Sequence, residues 1–206
     1  MNGQKYVLET YEWDNTWWEH ASDASLPRVL IVGDSITCGY RGKVNPLLHM
    51  QAYADGFGTS KAVDNPWFAE SVLLFMRQMA RCDMVIFNNG LHGFHLSAEE
   101  YEAGYRRVLG ALLEQYPDKK WTLVLSTPVR DTADLTQFTD QNEQVKARNE
   151  AVCRIAEELG LPVLDYYTPL EHHPELWSPD GVHLKDEGYA LLADLCAKHV
   201  CVQLGL

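Results

Sequence analysis

Short runs of apolar, β-branched residues recur along this chain, each followed by a longer stretch with helical spacing; no other feature limits the fold so much. Arg28–Gly33 reads RVLIVG, apolar at successive positions rather than alternate ones, as a strand covered on both faces requires. Met84–Phe87 and Trp121–Ser126 have the same character, Pro162–Leu164 is a shorter version, and Gln51–Ala54 is a further strand candidate. Between these runs, Asn65-Pro66 offers an N-cap with proline at the first helical position, ahead of Ala69, Val72, Leu73, Met76 and Met79. Ser97 and Glu100 have capping-box spacing before Tyr101, Tyr105 and Val108, and Asp140 with Glu143 offers a similar start for Val145, Val152 and Ala156. A last helix is expected from about Lys185, turning Tyr189, Leu192, Ala193, Cys196 and Val200 inward.

Strand–helix alternation predicts right-handed βαβ crossovers, hence an α/β fold with a parallel sheet of about five strands and helices on both faces. Ligands of such sheets bind beyond the carboxyl ends of the strands. No repeat and no Pro/Gly/Ser linker divides the 206 residues, so the expectation is one domain over 1–206, with residues 1–27 as an arm packed on it. At 46% hydrophobic and 22% charged residues, disorder and coiled coil are poor readings.

The formal charge of −12 opposes binding to phosphate backbones and anionic membranes, so neither nucleic acid nor membrane is expected as a partner. No stretch reaches the roughly 18 apolar residues of a membrane span, and Met1–Glu12 lacks the basic and apolar regions of a signal peptide. The cysteines Cys38, Cys82, Cys153, Cys196 and Cys201 are odd in number and form no CxxC pair, which fits reduced thiols in a cytoplasmic protein.

Chemistry concentrates in two segments. Gly33-Asp34-Ser35-Ile36-Thr37 follows the first strong strand. A serine there, entering a helix, exposes its hydroxyl beside backbone N–H groups that can hold an oxyanion, although Gly-Asp-Ser is also good turn chemistry. Ser178-Pro179-Asp180-Gly181-Val182-His183 precedes the last helix. A hydroxyl nucleophile needs a base, and the base needs a carboxylate to fix its tautomer. Three residues apart in one glycine-containing loop, Asp180 can accept from His183 Nδ1 and leave Nε2 for Ser35. A turn cap and a surface histidine are the plainer alternative.

Taken together, GDSIT after the first strand and DGVH before the last helix closely resemble the first and last sequence blocks of the GDSL/SGNH hydrolases, with the likeness running from about Val29 to the C-terminus. The resemblance implies a three-layer α/β/α, flavodoxin-like fold and a Ser35–His183–Asp180 triad. It also implies hydrolysis of carboxylic esters through an acyl-enzyme, with no cofactor. The oxyanion hole it implies comprises the N–H of Ser35, a glycine N–H and an asparagine side chain. Gly58 is the choice for the glycine, read as lying in a loop after the second strand, with Gly56 and Ser60 as alternatives. The third block departs from Gly-x-Asn-Asp: Asn88-Asn89-Gly90-Leu91-His92-Gly93 puts His92 at the asparagine position, so Asn89 or His92 is the remaining donor.

Other residues receive plainer readings. Asn149, on the apolar stripe of its helix, needs a structural partner and is placed to brace a site loop. His92, His95, His172 and His173 lack accompanying ligands at zinc spacing, so no metal is assigned. Trp13, Trp17 and Trp18 are read as an arm buried against the domain, Cys38 as helix packing, and Arg130 as a solvated side chain rather than one reaching the cleft. Among the family's acetylated sugars, lipids, thioesters and aryl esters, the acidic chain, the absence of a long apolar lid, the NNGLH variant and the N-terminal aromatics favour a carbohydrate acetylesterase. The expected partner is thus a small-molecule or saccharide ester. The alternative from another class is a non-catalytic carbohydrate-binding or interaction protein on the same fold, motivated by the altered third block. A nucleotide or flavin binder would need a glycine-rich phosphate loop, which is missing.

Overall fold

Strand residues that are apolar on both faces need two helical layers to cover them, and the computed structural model, which describes residues 6–206, provides both. The strands are β1 (Asp14–Trp17), β2 (Arg28–Gly33), β3 (Tyr53–Thr59), β4 (Met84–Phe87), β5 (Lys120–Leu125) and β6 (Val163–Asp165). The helices are α1 (Ser35–Leu47), α2 (Phe68–Gln78), α3 (Ala98–Gln115), α4 (Asp140–Leu159), the short α5 (Thr168–Glu171) and α6 (Asp186–Leu204). The six strands lie in the order β1-β3-β2-β4-β5-β6. All neighbouring pairs are parallel except β1 with β3, which is antiparallel. This is the expected three-layer α/β/α arrangement with flavodoxin-like order, extended by one edge strand.

Strand side chains alternate between the two layers. Leu30, Val32, Val85, Phe87 and Leu123 pack with α2, α3 and α4. Val29, Ile31, Met84, Ile86 and Val124 pack with α1 and α6. Full burial of each such side chain contributes about 1.5–3 kcal/mol, so the central strands β2 and β4 anchor the domain. At the opposite end from the carboxyl edge, the fully buried Arg28 makes a bidentate pair with Asp55 at 2.9 and 2.8 Å and also donates to the carbonyl of Asp23. An ion pair so placed orients the strand ends more than it stabilises them.

Sequence and structure part in several places. The strand expected at Gln51–Ala54 runs instead over Tyr53–Thr59, so Gly56 and Gly58 are buried strand residues rather than turn formers. Read from sequence, Asp-Gly-Phe-Gly is a breaker; in the fold, α1 presses on this strand. A Cβ on Gly58 would stand 2.4 Å from Cys38 Sγ and 3.3 Å from the Asp34 carbonyl. β1 comes from the expected N-terminal arm, of which Met1–Lys5 lie outside the described residues, and its side chains are exposed, so no apolar period marked it as a strand. Trp17 is half exposed, whereas Trp18 stacks on Phe75 with ring centroids 4.3 Å apart.

Helix starts differ in detail. Ser97 and Glu100 form the capping box in full. Asn65 instead holds Trp67 N–H at 2.9 Å in a turn ahead of α2, which starts at Phe68, beyond Pro66. Thr139, not Asp140, is the N-cap of α4, and Asp140 and Glu143 occupy its first turn, where carboxylates suit the helix dipole. No helix among the described residues is long and apolar enough to cross a membrane.

Candidate active site

The carboxyl ends of β2, β3, β4 and β5 converge on one edge of the sheet, and every segment singled out for chemistry meets there. Asp34 follows β2 and caps α1: its Oδ1 accepts from Ile36 N at 2.9 Å, which makes Ser35 the first helical residue. Its Oδ2 accepts from Leu91 N at 2.8 Å, tying the Ser35 turn to the loop after β4. Gly90 is required at that junction. Its φ is +77°, and a Cβ there would lie 2.0 Å from Asp34 Oδ2.

Ser35 meets the C-terminal loop directly. His183 Nε2 lies 2.9 Å from Ser35 Oγ, and His183 Nδ1 lies 2.8 Å from Asp180 Oδ2. A carboxylate only accepts, so Asp180 places the proton on Nδ1 and turns the Nε2 lone pair toward the hydroxyl. Asp180 Oδ1 also accepts from the N–H groups of Val182 and His183, at 2.9 and 2.8 Å. Partial burial pushes its carboxyl up, but these two N–H groups and the imidazole outweigh it and hold the group below its ordinary value. Asp180 is therefore ionised at neutral pH.

The loop carrying the histidine is fastened at several points. Ser178 N–H donates to the His183 carbonyl at 2.9 Å, Arg130 N–H donates to the Gly181 carbonyl at 2.8 Å, and Trp177 beneath is fully buried. Arg130 corrects the sequence reading: it is neither solvated nor in the cleft. The residue is 2% exposed, and its guanidinium donates to the carbonyls of Leu135, Leu170 and Glu171 and stacks over Phe138 and Trp177.

The expected oxyanion groups surround the same edge, although each has other ties. Asn89 is buried and donates through Nδ2 to the Lys61 carbonyl at 2.9 Å, leaving its second amide hydrogen. His92 turns Nδ1 toward Glu9 Oε1 at 3.4 Å, leaving Nε2. Gly58 stands in register with Gly33 of β2. Asn88 braces the strand end, donating to the Val124 carbonyl at 2.7 Å. His95 pairs with Asp64 at 2.8 Å and His173 with Glu175 at 2.8 Å; among the described residues no group of three or more metal-ligating side chains comes together. Burial pushes the Cys38 thiol up, away from an activated thiolate, and the side chain packs at Gly58.

Asn149 does what its place on the apolar stripe required, pairing with both Ser126 N and Ser126 O at 2.8 and 2.9 Å and bracing the end of β5. Its neighbour Arg148 escaped the sequence reading. It is buried, lies over Phe94 and Tyr101, and donates to the carbonyls of His92 and Gly93 at 2.9 and 2.5 Å. No local pattern separates such an arginine from a solvated one. Asp34 escaped as well, although a carboxylate at an N-cap was a visible signal. Leu91, Phe94 and Val182 pack on Val129, Val145 and Tyr167.

A parallel sheet covered on both faces, with hydroxyl, imidazole and carboxylate hydrogen-bonded in series at its carboxyl edge, defines an ester hydrolase of the α/β/α class. The chain belongs to the GDSL-like Lipase/Acylhydrolase family, whose model matches residues 31–191. Solved structures with similar folds include a carbohydrate acetylesterase from Sinorhizobium meliloti (18% identity over 86% of this chain and 99% of that one, TM-score 0.68). Others are an acetylxylan esterase from Geobacillus stearothermophilus (17%, 87% and 94%, TM-score 0.62) and a GDSL-like lipase from Bacteroides thetaiotaomicron (18%, 87% and 89%, TM-score 0.64). A search of curated protein sequences finds no significant match.

Proposed function

We propose that Ser35 is the nucleophile, His183 the general base and Asp180 its orienting carboxylate in a two-step hydrolysis of small acetyl esters, with acetylated carbohydrates as the substrate class. The observation that carries this reading is the unbroken line from Asp180 Oδ2 through the imidazole to Ser35 Oγ. Oγ bonds to the ester carbonyl carbon as its proton passes to Nε2. The alkoxide leaves with that proton, and water, deprotonated by the same imidazole, then releases the acid and regenerates the hydroxyl.

The oxyanion is held first by the N–H of Ser35, with Asn89 or His92 as the group that supplies a side-chain donor; Gly58, paired with both β1 and β2, has its N–H taken up in the sheet. His183 is 42% and Asp180 52% exposed at the side chain, which leaves room for a bulky alcohol such as a sugar on the His183 side. The carbohydrate acetylesterase and the acetylxylan esterase among the structural neighbours support the same substrate class. The arm acts with the rest as one domain, a reading supported by the pairing of β1 with β3.

A screen of p-nitrophenyl acetate and acetylated oligosaccharides, with fluorophosphonate labelling of the wild type and Ser35→Ala, tests the proposal. The expected result is acetate release and labelling by the wild type alone. Turnover that survives Ser35→Ala would remove the nucleophile assignment, and release from aryl acetates but from no acetylated sugar would remove the substrate class.

A further inference from the structure

The segment Glu9–Trp13 lies upstream of the stretch that matches the family, yet it reaches the active edge. Trp13 is held there by its backbone. Its N–H donates to Ser60 Oγ at 2.8 Å, and its carbonyl accepts from Ser60 N–H at 3.1 Å and from Thr59 Oγ1 at 3.2 Å. Ser60 Oγ in turn donates to Glu12 Oε2 at 2.9 Å. These ties fix the backbone from which its ring projects.

That ring lies over Gly58. A point one Cβ above Gly58 is 3.4 Å from the indole Cζ3 of Trp13 and 3.3 Å from the carbonyl of Asp34, the residue just before the nucleophile. The imidazole of His92 meets the indole edge-on, with centroids 6.4 Å apart and planes at 74°, so the two rings form a corner. Glu9 fixes the far side of that corner, its Oε1 facing His92 Nδ1 at 3.4 Å and accepting from Gly93 N–H at 3.3 Å.

Sheet order assigns this corner to one half of the substrate. Ser35 follows β2. His183 is fastened to the chain after β5, on one side, whereas Gly58 and Trp13 stand on the β3 and β1 side. The leaving alcohol must lie by His183, which hands it a proton, so the acyl group shares the other side, where the corner stands, with the oxyanion.

We propose that Trp13, backed by His92, is a specificity-determining residue that closes the acyl side of the site and restricts it to short acyl groups. This rests on the assignment of Ser35 and His183 given above. Removing the wall should admit chains that the indole now blocks, and each methylene accepted or refused by an apolar pocket changes kcat/KM by about tenfold or more.

The test is kcat/KM of the full chain for p-nitrophenyl acetate, butyrate and hexanoate in the wild type, Trp13→Ala, Trp13→Leu, Trp13→Phe and Trp17→Ala. Trp17 belongs to the same arm but is half exposed and stacks on Arg41 rather than on Gly58 or His92. The expected result is a hexanoate-to-acetate ratio about tenfold or more higher in Trp13→Ala, near the wild-type value in Trp13→Phe, and unmoved in Trp17→Ala. Trp13→Leu, which keeps an apolar side chain, is read in the same way should the alanine variant not fold. A ratio within twofold of wild type after truncation of Trp13, or an equal shift in Trp17→Ala, overturns the proposal. Ser35→Ala, assayed alongside, reports separately on the nucleophile, because an error there leaves activity in that variant whatever Trp13 does to the ratio.

Discussion

His183 Nε2 stands 2.9 Å from Ser35 Oγ although 148 positions separate the two residues. One comes from the turn at the end of β2 and the other from the loop before α6, and α1 and α6 share the apolar layer that brings these turns together. Helix packing on one sheet face therefore builds the contact between imidazole and hydroxyl.

Replacing Ser35 or His183 by alanine should lower kcat by at least about 10³-fold, and the double variant should be no worse than either single one, because the residues act as a unit. Asp180→Asn should cost about 10⁴-fold, since an amide no longer enforces the Nδ1–H tautomer. Steady-state kinetics with p-nitrophenyl acetate, with circular dichroism to establish folding, measure this. Additive losses would mean that the residues do not share a step.

Asn89→Ala and His92→Ala separate the candidate oxyanion donors. The variant that loses a true donor should fall about 10²–10³-fold in kcat with KM little changed. Because Asn89 Nδ2 also holds the Lys61 carbonyl, thermal unfolding must be followed in parallel. Two variants with wild-type kcat would leave the backbone to supply every donor.

Arg148→Met keeps much of the side-chain volume but takes the donor from the His92 carbonyl, whereas the Gly93 carbonyl keeps Leu96 N–H at 3.0 Å. The expected cost is about 1–3 kcal/mol for the His92 carbonyl left unpaired, read as a lower urea midpoint. Turnover should fall as well, because the same loop presents Asn89 and His92. An unchanged midpoint would show that the loop is held elsewhere.

His199 on α6 pairs through Nε2 with Thr122 Oγ1 at 2.8 Å, and burial lowers its pKa below the usual value of 6.5. As pH falls below 6.5, the unfolded chain takes up a proton that the folded chain resists, so this residue withdraws stability on acidification and restores it as pH rises. His199→Gln, which keeps a hydrogen-bonding group but cannot titrate, should show a smaller drop in Tm between pH 7.5 and pH 5 than the wild type. Equal drops would place the acid sensitivity in other groups.

Much of this molecule is written locally. The uninterrupted apolar run at Val29–Val32 specifies a strand covered on both faces, the Ser97–Glu100 pair specifies a helix start, and Ser35 and His183 stand out because each follows or precedes such an element by a fixed step. Periodicity and capping depend on neighbours within a few residues, so a linear reading reaches them. Position in space does not work that way. Gly58 proved to be a strand residue because α1 presses on β3, and the exposed β1 carries no pattern of its own and is a strand only by pairing with that edge. Arg130 and Arg148 look like surface cations in the chain and are buried caps for carbonyls in the fold. Whether Asn89 and His92 spend their donors on Lys61 and Glu9 or turn them toward an oxyanion is likewise a matter of long-range partners. The sequence alone determined most of the elements and picked out the candidate reactive side chains. Tertiary packing decided who meets whom, because hydrogen-bond partners are chosen by distance in space and not along the chain.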